Sequence, residues 1–382
     1  MLLSIIIPTK NRYQPLIHLI EALRGFQDDD FEVVIQDNSE DNAEFIDIAR
    51  KLPDRVRYFH YSGYLTGCGN FDKAILNSNG EYVCIIGDDD GFSAKMLKLV
   101  RWMKNNNVDS CIFPTADYVW PGFRTSRIHN ITGLGIPEPT GKIERLSPEN
   151  ELISHLKTGA FGWGKLPRVY HGIVSRSALD AVYSKLGTFF PGPVPDLSNA
   201  VALCFAVKSH CRVHTPYIVS GRYYGIAKLG EQDSSADILA SNASVPNDVK
   251  ENWEEKNPPL WVAATIWAEC AIKTLKKMGK ENYLQKFNYS RLYAMVFSCH
   301  REQAHLAKPL IKGLKAHLSV ALSMTAIFIN RCYLFGANFL RANFRISRKK
   351  LYTDVPTIRE AIALVDKHIS DDISEKRGSS QT

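Results

Sequence analysis

Within the first 113 residues short apolar runs alternate with helix-period patterns, and three of those runs stop at a polar cluster. Leu2–Ile7 reads as a buried strand, and Leu16, Ile17, Leu19, Ile20, Leu23 and Phe26 recur at helical spacing. Phe31–Ile35 is the next strand, completing a strand–helix–strand unit whose parallel strands need cover on both faces. Val56–His60 and Tyr82–Ile86 extend the series, residues 70–79 supply a short helix, and Ser93 can cap a helix that carries Met96, Leu97, Leu99, Val100 and Met103 inward. Ser110–Phe113 is a fifth strand. The alternation predicts an α/β fold with an open, mostly parallel sheet, in which ligands bind beyond the carboxyl ends of the strands. Thr9-Lys10-Asn11-Arg12, Asp37-Asn38-Ser39 and Asp88-Asp89-Asp90 are expected to converge there.

Downstream, residues 114–167 are rich in Gly, Pro and Thr and read as loops. Arg168–Ser175 is expected as a strand, 177–186 and 197–208 as helices, and Val213–Ser220 as a closing strand. The polar stretch 229–258 reads as a linker or lid, 259–370 as helical, and 371–382 as a disordered tail.

The chain has 382 residues and a formal net charge of +7, but the excess is local. Residues 301–350 hold Arg301, Lys308, Lys312, Lys315, Arg331, Arg341, Arg345, Arg348, Lys349 and Lys350 against Glu302 alone, interleaved with apolar and aromatic residues. Two readings stay open. The segment is an interfacial helix drawn to an anionic membrane, or a bundle or self-association surface that covers its apolar stripe. No recognition motif or stacking platform points to nucleic acid. Eight cysteines without a CxxC pair suit reduced thiols in a cytosolic setting, and the N-terminus is read as a strand rather than a signal peptide.

Three consecutive carboxylates after a buried strand repel one another and lose hydration, which a divalent cation would relieve. Hard oxygen ligands suit Mn²⁺ or Mg²⁺. Asp37, Ser39 and Asp41 alternate as calcium-loop ligands do, yet Asn42 replaces the required Gly and Ile48 the required Glu. The Gly-Asp-Asp of residues 87–89 also suits a polymerase or nucleotidyl transferase, but the first 230 residues lack a dispersed basic channel. GxGxxG and P-loop signatures are missing.

Ser-Ile-Ile-Ile-Pro-Thr-Lys-Asn-Arg at 4–12, Val-Val-Ile-Gln-Asp-Asn-Ser at 33–39 and Asn-Gly-Glu-Tyr-Val-Cys-Ile-Ile-Gly-Asp-Asp-Asp at 79–90 resemble, in order and spacing, the family 2 glycosyltransferases of the GT-A fold. The resemblance implies a nucleotide-sugar-binding half over 1–113, an acceptor-binding half over 114–228, and a helical C-terminal extension. It places Pro8, Thr9, Arg12, Asp37, Asp88 and Asp89 against a nucleotide-sugar donor, with Lys73 as a weaker match. Asp90, with Asp88, would ligate the metal. Asp196 is the candidate general base, with a helix N-cap as its competing role, and Trp163 and His171 are candidate acceptor contacts. The implied activity is inverting sugar transfer from a UDP-sugar to a glycan or lipid-linked glycan in capsule or lipopolysaccharide synthesis, on the cytoplasmic face of the inner membrane. A catalytically silent glycan- or nucleotide-binding protein of the same fold is the non-enzymatic alternative.

Overall fold

The computed structural model describes residues 1–122, 133–223, 238–242, 245–343 and 349–377. Its large sheet has eight strands: β1 (Leu3–Thr9), β2 (Phe31–Asp37), β3 (Val56–His60), β4 (Tyr82–Ile85), β6 (Ser110–Ile112), β9 (Ile143–Leu146), β10 (Gly172–Ser175) and β11 (His210–Val213). Their order is β3-β2-β1-β4-β10-β6-β11-β9. The first four run parallel, while β10 is antiparallel to both its neighbours. Every residue of β2 is buried, as is all of β1 except the partly exposed Pro8, because helices cover both faces. Tyr13–Leu23 and Met96–Asn105 pack on one face, Gly67–Leu76 and Arg176–Leu186 on the other. This is the open, mostly parallel α/β sheet expected from the sequence.

Residues 114–167 hold more regular structure than expected. β7 (Thr115–Val119) and β8 (Gly133–Pro137) join β5 (Gly91–Phe92), β12 (Ile218–Arg222) and β13 (Lys349–Thr353) in a second sheet, ordered β13-β8-β7-β12-β5, and Pro148–Lys157 is a helix. Ser147 caps that helix by accepting from the Asn150 amide. The expected cap at Ser93 takes another form: its hydroxyl accepts from Lys95 N and donates to Asp366.

A second core lies under the helices Ala263–Lys277 and Tyr289–Cys299, and the helix Pro195–Leu203 joins it to the sheet. Leu197, Ala200 and Val201 face the helical core, Ala202 and Leu203 the sheet core, so this helix is fixed from two sides. After the helix Leu314–Asn343 the chain returns to the first body. β13 pairs with β8, Tyr118 Oη donates to Val355 O at 3.0 Å, and Ile358, Ala361, Ile362 and Val365 of the helix Ile358–Arg377 enter the main core. That helix runs through 371–377 of the expected tail, and 378–382 lie outside the described residues.

Candidate active site

The turn after β4 gathers partners from four distant segments. Thr9 Oγ1, at the end of β1, donates to Asp88 Oδ2 at 2.7 Å, and Arg12 reaches Asp88 Oδ1 and Asp89 Oδ2 at 3.1 Å each. Asp90 Oδ2 lies 2.6 Å from His171 Nε2 and accepts from the Gly87 amide at 2.6 Å, while its Oδ1 accepts from Gly221 N at 2.8 Å. Tyr223 N donates to Asp89 Oδ2 and Trp120 Nε1 to the Asp89 carbonyl. Gly221 is needed because a Cβ there would stand 1.8 Å from Asp89 O. His171 holds a left-handed φ of 53° beside β4, placed by its amide on Ile85 O.

The electrostatics follow from burial. Burial raises Asp88 to about 7, with Arg12 and Thr9 opposing and Asp89 and Asp90 adding to the rise. Asp89 is raised by burial and by the charge of Asp90, against Arg12. Burial also works against charge on Asp90, but His171 and the two glycine amides outweigh it and keep the carboxylate ionised. Three carboxylates thus face one arginine and one histidine.

Asp37 is sealed from solvent and saturated internally. Its Oδ1 accepts from Ser39 N and Oγ at 2.8 and 2.5 Å, its Oδ2 from the hydroxyls of Tyr13 and Tyr58 at 2.8 and 2.7 Å. Asn38 ties the same loop to the carbonyls of Tyr61 and Gly63. Pro8 precedes Thr9 in β1. Lys73 sits 4.6 Å over the Tyr61 ring rather than on the carboxylate cluster.

Asp196 occupies the first turn of the helix Pro195–Leu203, whose N-cap is Val194 without a side-chain cap. The cap role is therefore not the one Asp196 plays, since the helix begins two residues earlier than its apolar pattern suggests. The carboxylate is half-buried and has no hydrogen bond among the described residues. Burial raises it from 3.8 to about 6, moderated by His171 and Arg168. Arg168 is itself buried, 5.3 Å from the Trp163 ring centroid, and its Nε and Nη1 have no partner among the described residues. Burial brings it down to about 10, with Arg212 adding to the fall and Asp196 opposing it. Trp163 contacts Tyr170 and His171 and stacks on Trp267 at 6.2 Å, and Trp267 lies 5.4 Å from the exposed Phe161. A cavity of about 310 Å³ beside Phe161 is also lined by Glu151, His155, Thr158, Lys165 and Arg291.

The structure thus brings Thr9, Arg12, Asp88, Asp89, Asp90 and His171 into direct contact, with Asp196 and Trp163 at their edge. Gly221, Tyr223, Trp120 and Arg168 join them unannounced by any motif. Among the described residues no group of three or more His, Cys, Asp or Glu side chains is arranged to hold a metal ion.

In an open α/β sheet of this kind, the acidic, basic and aromatic groups at the strand ends stand where such folds bind ligands. Residues 4–163 match the family model Glycosyl transferase family 2. The GalNAc(5)-diNAcBac-PP-undecaprenol beta-1,3-glucosyltransferase of Campylobacter jejuni is 32% identical over 91 residues, 23% of this chain and 29% of that protein. The putative colanic acid biosynthesis glycosyl transferase WcaA of Escherichia coli is 28% identical over 123 residues, 32% of this chain and 44% of that one. The chain spans less than half the length of either. The Staphylococcus aureus TarS 1–349 structure in complex with UDP-GlcNAc aligns over 81% of this chain and 88% of its own, at 17% identity and a TM-score of 0.47.

Proposed function

We propose that the chain is an inverting glycosyltransferase that moves a sugar from a UDP-sugar to a glycan or lipid-linked glycan during cell-surface polysaccharide synthesis. The observation that carries this is Asp196: a half-buried carboxylate, raised to about 6, set beside the acidic cluster on a helix clamped by two cores. A general base works best with a pKa near the working pH and with a free lone pair for the acceptor proton. Asp196 takes that proton as the acceptor oxygen attacks the sugar, and Arg12 and Arg168 supply positive charge toward the leaving diphosphate. Asp37 acts as a positioning residue, holding the 37–39 loop against the nucleobase. Trp163 and the cavity at Phe161 offer aromatic and polar surface to acceptor sugars.

A hard divalent cation fits this donor set. The cluster sets three carboxylates against Arg12 and His171, and Mg²⁺-type ions are commonly held by one or two carboxylates plus substrate phosphates. Asp90 and Asp88 would hold Mn²⁺ or Mg²⁺, with His171 orienting Asp90 from behind. Bound there, such an ion would supply positive charge against the departing diphosphate. All eight cysteines are unbridged, including the cross-strand neighbours Cys111 and Cys211, which supports a reducing, cytoplasmic setting.

UDP release from UDP-glucose, UDP-GlcNAc and UDP-GalNAc, with and without Mn²⁺, tests the reading. Metal-stimulated release from one of them is expected. Pyrophosphate release from a nucleoside triphosphate instead would make the chain a nucleotidyl transferase. Tight UDP binding without turnover of any sugar donor would make it a binding protein.

A further inference from the structure

The helix Leu314–Asn343 packs one side on the helix Tyr289–Cys299 and turns its most apolar side outward. Val320 and Ile327, on the inner side, are 5% and 7% exposed, whereas Leu322 and Phe328 are 72% and 67% exposed. At 3.6 residues per turn, Leu314, Leu318, Leu322, Phe328, Ile329 and Tyr333 share an arc of roughly 140° opposite the packed side, along a strip roughly 30 Å long. All six are exposed. No charged residue falls between Ala316 and Asn330; Lys308, Lys312 and Lys315 precede this stretch and Arg331 follows it. From Gln303 to Thr353 there is no Asp or Glu.

We propose that this helix lies in the plane of an anionic membrane surface, its outer arc among the acyl chains and its flanking lysines at the headgroups. A strip of this size left in water marks a partner, and the one-signed charge around it complements an anionic leaflet. By length and composition Leu314–Ala337 is also long enough to span a bilayer. Connectivity forbids that course. The preceding helix belongs to the helical core, and β13 pairs in register with β8 from Lys349↔Pro137 to Thr353↔Gly133. Because the helix runs unbroken to Asn343, only six peptide steps remain to Lys349, and they reach at most roughly 22 Å, short of the roughly 30 Å hydrocarbon layer. A spanning helix would pull β13 out of its sheet.

Flotation of the full-length protein with phosphatidylcholine vesicles, with or without one third phosphatidylglycerol, tests this. Binding is expected only to the anionic vesicles, to weaken with salt, and to fall at least tenfold in the Leu322→Glu/Phe328→Glu double variant. Both positions are exposed, and circular dichroism checks that the variant remains folded. Brominated lipid should quench added fluorescence in Phe328→Trp. The proposal is overturned by absence of binding at low salt, by equal binding of the double variant, or by retention on vesicles after alkaline carbonate washing, which would mean spanning. A concentration-dependent dimer that the double variant dissociates would give the face to a second copy instead. Vesicle binding is read without turnover, so its failure leaves the transfer reading standing, and loss of transfer leaves this one standing.

Discussion

Asp88, Asp89 and Asp90 are nearly sealed from water, while Leu322 and Phe328 on the helix Leu314–Asn343 stand in it. Both arrangements run against ordinary solvation: charge avoids burial, and large apolar side chains avoid exposure in contiguous strips. The first is sustained by fixed internal partners, namely Arg12, Thr9, His171 and the Gly221 amide. The second has no such internal cover on its outer side among the described residues. The difference teaches where each region spends its tension. The acidic cluster is balanced from within, whereas the outer side of the helix is left uncovered among the described residues.

The largest expected effect tests whether Asp196 belongs with the acidic cluster in function. Asp196→Asn is predicted to fold and bind donor while losing about 10² to 10⁴ in kcat, the range for removing a general base. In the wild type kcat should rise with pH through about 6 as the carboxylate ionises, and the variant should lack that limb. Stability separates the roles further. Because the folded pKa is raised, the native state holds the proton more tightly, and stability falls as pH climbs from 3.8 to about 6. The Asn variant escapes that loss and should be the more stable protein at pH 8. Retention of more than a tenth of kcat would move the base elsewhere in 114–223.

Next in size is Asp90→Asn, predicted to lower kcat by about 10² to 10³ through loss of a preorganised anion facing His171. Chelator should reproduce the loss in the wild type and Mn²⁺ should reverse it. Full activity in chelator would leave the cluster as a purely internal charge network and remove the metal assignment.

Much of this site was legible in the sequence, and the illegible part has a physical cause. A charged run directly after an apolar strand marks Asp88–Asp90 because nothing but a strand end explains the order. Gly221 lies 131 residues from Asp90 and is delivered by strand pairing, which leaves no local signature; His171, 81 residues away, stood out as a candidate acceptor contact, but its pairing with Asp90 did not. Arg168 is silent for the same reason: its meaning comes from burial without partners. Asp196 was visible as a carboxylate near a helix start, but its exclusion from capping depends on Pro195 opening the helix. The apolar pattern of 314–335 was equally plain, yet periodicity cannot say which side finds a neighbour. The return of β13 to β8 rests on five residues, too few for a periodic signal.

Asp37 sharpens the comparison at intermediate size, since its burial rests wholly on hydrogen bonds. Asp37→Ala leaves the Tyr58 hydroxyl and the Ser39 hydroxyl and amide without their acceptor, while Tyr13 keeps the Asp41 carbonyl, and a loss of about 3 kcal/mol is expected from two or three unsatisfied groups. Urea unfolding measures it. Donor KM should rise more than kcat falls, because the 37–39 loop loses its anchor. An unchanged KM with full stability would detach Asp37 from both roles.

The smallest expected effect concerns the outer arc of the helix Leu314–Asn343 and separates membrane function from folding. Phe328→Ser deletes a ring that is 67% exposed, so little burial is lost and no cavity forms. Helix propensity changes little between Phe and Ser. Unfolding free energy should therefore stay within about 0.5 kcal/mol of the wild type, as for other surface substitutions. Ile327→Ser, one residue earlier but facing the core at 7% exposure, should cost several times more, because it loses buried area and leaves a hydroxyl to be satisfied. Measuring the adjacent pair in urea gives a ratio that depends only on which side of the helix is covered. Near-equal losses would mean that Phe328 is buried in solution, and a partner of its own kind would then have to cover the outer arc.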